Sequence, residues 1–99
     1  MKFKDLKFKD QGSAINGIPH IQAWVDFPNG FEVSIIKGFY SHGGRKGFYE
    51  IGVFKDGIMC DPLGWGDDVK GYLEPEDVEQ ELATIKELGC SSQIVDHLK

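Results

Sequence analysis

The two alternating stretches on either side of Pro28-Asn29-Gly30 constrain this chain more than any other feature. In His20-Ile21-Gln22-Ala23-Trp24-Val25-Asp26-Phe27, the residues Ile21, Ala23, Val25 and Phe27 share one face, while His20, Gln22, Trp24 and Asp26 share the other. Phe31-Glu32-Val33-Ser34-Ile35 alternates again, with Phe31, Val33 and Ile35 inward. A period of two sends one apolar face to a core. The Pro-Asn-Gly run supplies the backbone freedom that a tight turn needs. The chain therefore contains a β-hairpin with one buried face. A further strand runs from Phe48 to Phe54, with Tyr49, Ile51 and Val53 on one face and Glu50, Gly52 and Phe54 on the other. Asp56-Gly57 is a two-residue hairpin signal returning into Ile58-Met59-Cys60. Asn16-Gly17 marks a turn, and Pro19 disfavours a central strand there. Residues 3–8 mix apolar and charged side chains and read as an edge strand guarded by lysines.

A sheet of three or four strands cannot leave its apolar face bare. The cover comes from the C-terminal third. Pro75 suits a first helical position, Glu76 and Asp77 complement the helix dipole, and Leu73 can staple onto Val78. Val78, Leu82 and Ile85 make the stripe, with Leu88 at its border. Glu74 is a poor N-cap. Gly89 is read as the helix stop, and Ser92 as the cap of a short second helix carrying Ile94, Val95 and Leu98. Residues 61–71 read as irregular. The fold class is α+β: a small antiparallel sheet on one C-terminal helix, a single domain over residues 1–99.

Composition excludes several functions. The 99 residues are 40% hydrophobic and 12% aromatic, enough for a small core. No apolar run approaches the roughly 18–20 residues of a membrane span, and charges interrupt every candidate signal peptide in Met1-Lys2-Phe3-Lys4-Asp5. Net charge is −5, unevenly placed: residues 1–60 carry +2 and residues 61–99 carry −7. Eight acids against Lys70 alone lie between Asp61 and Glu81, which repels nucleic acid and suits a basic protein partner. His20, His42 and His97 are too far apart in sequence for a zinc motif, and no cofactor or metal is expected. Cys60 and Cys90 lack metal spacing and read as structural thiols. No hydrolase, zincin or P-loop motif occurs, so an enzyme is not expected.

The candidate contact residues fall in two loops. Phe39, Tyr40, His42, Arg45 and Lys46, within Gly38–Gly47, are residue types that make interface hot spots. Trp65, Asp67 and Asp68 belong to the acidic segment. Trp24, Phe48 and Phe54 alternate onto the polar sheet face; they are either covered by a second layer, formed by the N-terminal strand or by 61–71, or they form an exposed patch. The competing reading is a nucleic-acid binder using Lys2, Lys4, Lys7, Lys9, Arg45 and Lys46.

Asn29-Gly30, Ser41-x-Gly43-Gly44, Gly47-Phe48-Tyr49-Glu50-Ile51, Asp61-Pro62, Asp67-Asp68-Val69-x-Gly71-Tyr72-Leu73, Glu76-Asp77-Val78 and Ile85-x-x-Leu88 together resemble a set of short phage and prophage proteins, over residues 27–88. That family usually carries Tyr at the position of His42 and Thr at that of Glu74. The resemblance implies a viral accessory protein in the host cell cytoplasm. By analogy of size and genome context, it would bind and inhibit a host factor, as inhibitors of CRISPR, restriction or recombination nucleases do.

Overall fold

Alternation along the first 60 residues produces a meander, and a computed structural model of the chain gives its register. It describes the backbone of residues 2–12 and 14–97 and side chains as far as Leu88. The strands are β1 (Lys9–Asp10), β2 (Ile21–Asp26), β3 (Phe31–Lys37), β4 (Tyr49–Lys55), β5 (Ile58–Cys60) and β6 (Val69–Leu73), followed by the helix α1 (Pro75–His97). All pairings are antiparallel, in the order β1-β2-β3-β4-β5, with β6 also on β4. β5 and β6 divide one edge of β4 between them: β5 takes Val53–Lys55 and β6 takes Tyr49–Gly52.

The inner face of this sheet carries Ala23, Val25, Val33, Ile35, Ile51 and Val53, all buried. Val78, Leu82 and Ile85 of α1 close over it as the helical stripe requires. Leu73 and Val78 lie in the same cluster, where a hydrophobic staple would put them. The fold is thus α+β, with one main helix and, among the described residues, two isolated 3-10 turns, Phe3–Asp5 and Gly44–Lys46.

The turn at 27–31 does more than reverse the chain. Gly30 has φ +91°, its N–H donates to the Phe27 carbonyl (3.0 Å), and the Phe27 N–H donates to the Phe31 carbonyl (2.9 Å). This is a three-residue hairpin loop with glycine in the left-handed region. Asn29 then reaches the helix: its amide donates to the carbonyls of Ile85 (2.8 Å) and Lys86 (3.2 Å), while its Oδ1 accepts the Phe31 N–H (3.1 Å). One side chain ties the hairpin to α1. Asn29→Ala should cost about 1–3 kcal/mol, since it leaves a half-buried N–H and two carbonyls without this partner. Urea denaturation checks this, and an unchanged midpoint would mean the clamp contributes nothing.

Four expectations change. The sheet has six strands rather than three or four, because β6 starts within the 61–71 segment that reads as irregular and β1 adds a short edge. Residues 3–8 are not an edge strand. Phe3–Asp5 is a 3-10 turn, and the rings of Phe3 and Phe8 pack on Tyr49 at 5.0 and 5.5 Å between centroids. The Phe3 N–H donates to the Glu79 carboxylate on α1. Both rings are packed against the core cluster on the helix side, where an exposed edge strand would leave one face of each in water. Gly89 does not stop the helix, and no separate second helix starts at Ser92: α1 runs on to His97. Glycine inside a helix costs only about 1 kcal/mol, which several preceding turns can absorb.

The helix start is imperfect in a way that can be repaired. Asp77 accepts the Glu74 N–H (3.0 Å), which is one half of a capping box, but Glu74 supplies no side-chain cap in return. A hydrogen bond with Glu76, then the Glu76 and Asp77 charges, raise the Glu74 pKa above its ordinary value. An acid raised on folding destabilises the native state once ionised, so the penalty appears as pH rises through that pKa and vanishes in acid. Glu74→Ser should therefore raise the melting temperature at neutral pH, since serine also supplies the missing side-chain cap. The gain should shrink below the carboxylate range, which thermal melts at two pH values will show.

Candidate functional site

The loop after β3 is wound tightly by small residues. Ser41 Oγ accepts the Gly38 N–H and donates to the Gly38 carbonyl, both at 2.9 Å. Gly43 and Gly47, at φ +85° and +87°, bracket the 3-10 turn Gly44–Lys46. On this frame the Arg45 guanidinium lies 3.9 Å above the Phe39 ring, and its Nε donates to the Phe39 carbonyl (3.2 Å). Phe39 meets Tyr40 edge-on at 5.1 Å, leaving Tyr40 79% exposed. The loop thus gathers Phe39, Tyr40, His42, Arg45 and Lys46 into one basic-aromatic projection.

β6 joins the loop through a bulge. Lys70 pairs with Ile51 and Leu73 with Tyr49, so Gly71 and Tyr72 both stand opposite Glu50. Tyr72 takes φ +58°, a strained value for a bulky side chain, and its N–H donates to the His42 carbonyl (3.1 Å). The bulge aims the Tyr72 ring outward, 60% exposed and 6.1 Å from Phe48. Such strain persists only where neighbouring contacts hold it. Gly71 permits the approach, because a Cβ there would overlap the His42 side chain.

The outer face of the sheet is open. Trp24 is 54% exposed and packs on Phe54 with 5.4 Å between ring centroids. Neither the N-terminal segment nor residues 61–68 cover Trp24; the aromatic side chains of both pack on the helix side. A trough of about 310 Å³ runs between Trp24, Phe54, Met59 and Ile36, with Ser34 and Gly52 among its lining. A second hollow of about 260 Å³ continues it through His20, Ile36 and Glu50 to Phe39, Tyr40 and His42. Glu50 sits at the junction and is 7% exposed. Its Oε1 accepts the His42 N–H (2.8 Å), and its Oε2 lies 3.3 Å from His42 Nδ1.

The acidic segment is separate from this surface and partly structural. Asp61 accepts the N–H groups of Trp65 (2.8 Å) and Gly66 (2.9 Å); Glu81 pairs with Lys70 (2.9 Å); Asp77 and Glu79 bind backbone N–H groups. Trp65 is half-buried against the core. Asp67 and Asp68 are exposed at the far end of β6 from Tyr72, and no described cation pairs with either. The structure therefore brings the five loop residues together and leaves Trp65, Asp67 and Asp68 apart from them. Glu50, Tyr72, Ile36 and Met59 join the surface although the sequence reading did not select them. Alternation does place Glu50 outward, whereas Tyr72 depends on a bulge that has no sequence period.

Cys60 is a free thiol whose pKa burial pushes up, and Cys90 lies outside the described side chains. Among the described residues no three His, Cys, Asp or Glu side chains converge as metal ligands, and no helix is long and apolar enough to cross a membrane. No protein-family model, curated protein or solved structure gives a significant match to this chain.

Proposed function

We propose that this chain is a non-enzymatic binding protein that docks its open sheet face on a basic surface of another protein, with the aromatic rings of the 38–47 loop as further contacts at the rim, and acts by covering that surface. The observation that supports this most is the continuous outer face in which Trp24, Tyr40 and Tyr72 stay exposed while the opposite face carries the core. Exposed aromatic patches of this kind mark interaction sites, and Trp, Tyr and Arg dominate interface energetics. Charge selects the partner. The chain is net negative, and Asp26 and Glu32 sit directly opposite each other on the same face. The resemblance to phage accessory proteins favours a host factor in the cytoplasm, such as a defence or nucleic-acid-processing protein. The nucleic-acid alternative draws on Lys2, Lys4, Lys7, Lys9, Arg45 and Lys46. Of these, Lys9 lies on the short edge strand β1 opposite Gln22, and the Arg45 guanidinium is stacked on Phe39 of its own loop.

Photo-crosslinking in the host tests the proposal. A benzophenone side chain at position 24 or 40 should trap the same protein, and one at Lys86 on the helix should not. Asp67→Lys with Asp68→Lys should slow association with that protein in a salt-sensitive way without unfolding the chain. Duplex or single-stranded DNA binding that this double variant strengthens, with no protein trapped from either site, would favour the nucleic-acid reading instead.

A further inference from the structure

We infer that the trough between Trp24, Phe54 and Glu50 is a receptor for an arginine side chain of the partner; this rests on the proposed function above and names the contact that makes the surface selective. A buried carboxylate closes the trough. Glu50 is 7% exposed, and among the described residues the only basic side chain within 4 Å of its carboxylate is the His42 imidazole. Oε1 accepts one hydrogen bond, from the His42 N–H, and Oε2 lies 3.3 Å from His42 Nδ1, so both oxygens keep lone pairs that a planar guanidinium can fill with two parallel N–H groups.

The walls fit the same group. Trp24 and Phe54 line the trough as a tilted aromatic pair, and Ile36 and Met59 offer apolar surface for a three-carbon stem. Guanidinium stacks on aromatic rings and is weakly hydrated, so it loses less on entering such a site than an ammonium does. The rim adds charge complementarity. Asp26 pairs across the strands with Glu32, and Glu32 with Phe54, so two carboxylates border the aromatic pair. Like charges placed directly opposite are destabilising, and no described cation of this chain pairs with either. These carboxylates lie at the Phe54 end of the trough, away from Glu50, where their field draws a cation in without pairing with the guanidinium held at Glu50.

The probe is N-acetyl-arginine amide, with N-acetyl-citrulline amide as its neutral isostere, titrated into the intact chain. The Trp24 indole and Gly52 amide resonances report binding. We expect the arginine probe to shift both signals, and the citrulline probe to bind at least about tenfold more weakly, because its neutral urea group cannot make charge-assisted hydrogen bonds to the Glu50 carboxylate. Glu50→Gln keeps an acceptor for the His42 N–H and should bring the two probes to parity. Trp24→Ala, at an exposed position, should weaken the arginine probe with the fold intact, whereas Asp67→Lys with Asp68→Lys should leave it unchanged. Equal binding of the two probes by the native chain, or unmoved Trp24 and Gly52 signals, overturns the inference. Should crosslinking from positions 24 and 40 succeed while the arginine probe is inert, the arginine receptor falls and the binding protein stands. Should the probe bind as expected while crosslinking traps nothing, the receptor stands and the proposed function falls.

Discussion

Leu82→Ala is expected to remove about 2–5 kcal/mol of folding stability, the range for truncating a fully buried leucine. Leu82 is 1% exposed and stands between Val78 and Ile85, the other two residues of the stripe, both fully buried. These three side chains cover the inner sheet face over Val33, Ile35, Ile51 and Val53. The loss has two parts: the transfer energy of the removed methyl groups, and a cavity that a β-branched sheet surface cannot collapse to fill. A domain of this size holds about 5–15 kcal/mol in total, so the variant keeps a fraction of its stability. Urea titration should show a lower midpoint with an unchanged slope. A loss under about 0.5 kcal/mol, the range of ordinary surface substitutions, would place this helix face in solvent and contradict the two-layer fold.

Gly44→Ala is the second large expected effect, and it acts on the contact surface rather than on the core. A Cβ at Gly44 would overlap the Gly38 carbonyl oxygen and the Ser41 hydroxyl, and stand 2.8 Å from the Gly38 carbonyl carbon. The obstacle is backbone, which cannot rotate away as a side-chain tip would. Ser41 cannot yield either without giving up both bonds to Gly38. Overpacking of this kind costs about 1–3 kcal/mol or more. Gly47→Ala is the internal comparison. It has no atom within 4 Å of the added Cβ and meets only the strain of its φ of +87°. That strain is worth about 1–2 kcal/mol. Gly44→Ala should therefore cost more, and should move the amide resonances from Gly38 to Gly47 together with Tyr72, whose N–H is bonded to His42. Equal costs for the two variants would mean that the loop is not wound against Gly38.

The loop and the sheet face differ in what holds them, and this separates variants that weaken binding from variants that unfold the chain. Trp24 and Tyr40 expose most of their side chains, so removing them takes little from the core. Glu50 is buried and anchors the His42 amide, so its charge and its hydrogen-bonding role are separable only by the amide isostere.

Hydrophobic periodicity in the sequence determined the 27–31 hairpin, the 49–60 hairpin, the inner faces of β2, β3 and β4, and the Val78–Leu82–Ile85 stripe. Those features obey local rules, since strand and helix periods and Asn-Gly or Asp-Gly turns are set by neighbouring residues alone. The five loop residues were also legible as a group, because they are contiguous in the chain. Tertiary structure alone decided the rest. Phe3 and Phe8 pack on Tyr49 instead of extending a sheet edge, a contact between distant parts of the chain that no local period encodes. β6 forms because β4 has an edge that β5 leaves half open, and its bulge turns Tyr72 outward toward the loop. Whether Trp24 is covered could not follow from alternation, which says which face a side chain takes and never what lies above it. The position of Glu50 has the same origin. A charge on an outward strand position is normally solvated, and this one is buried because the 38–47 loop folds back to give it the His42 N–H. Long-range packing sets that environment, and no local pattern in the sequence encodes it.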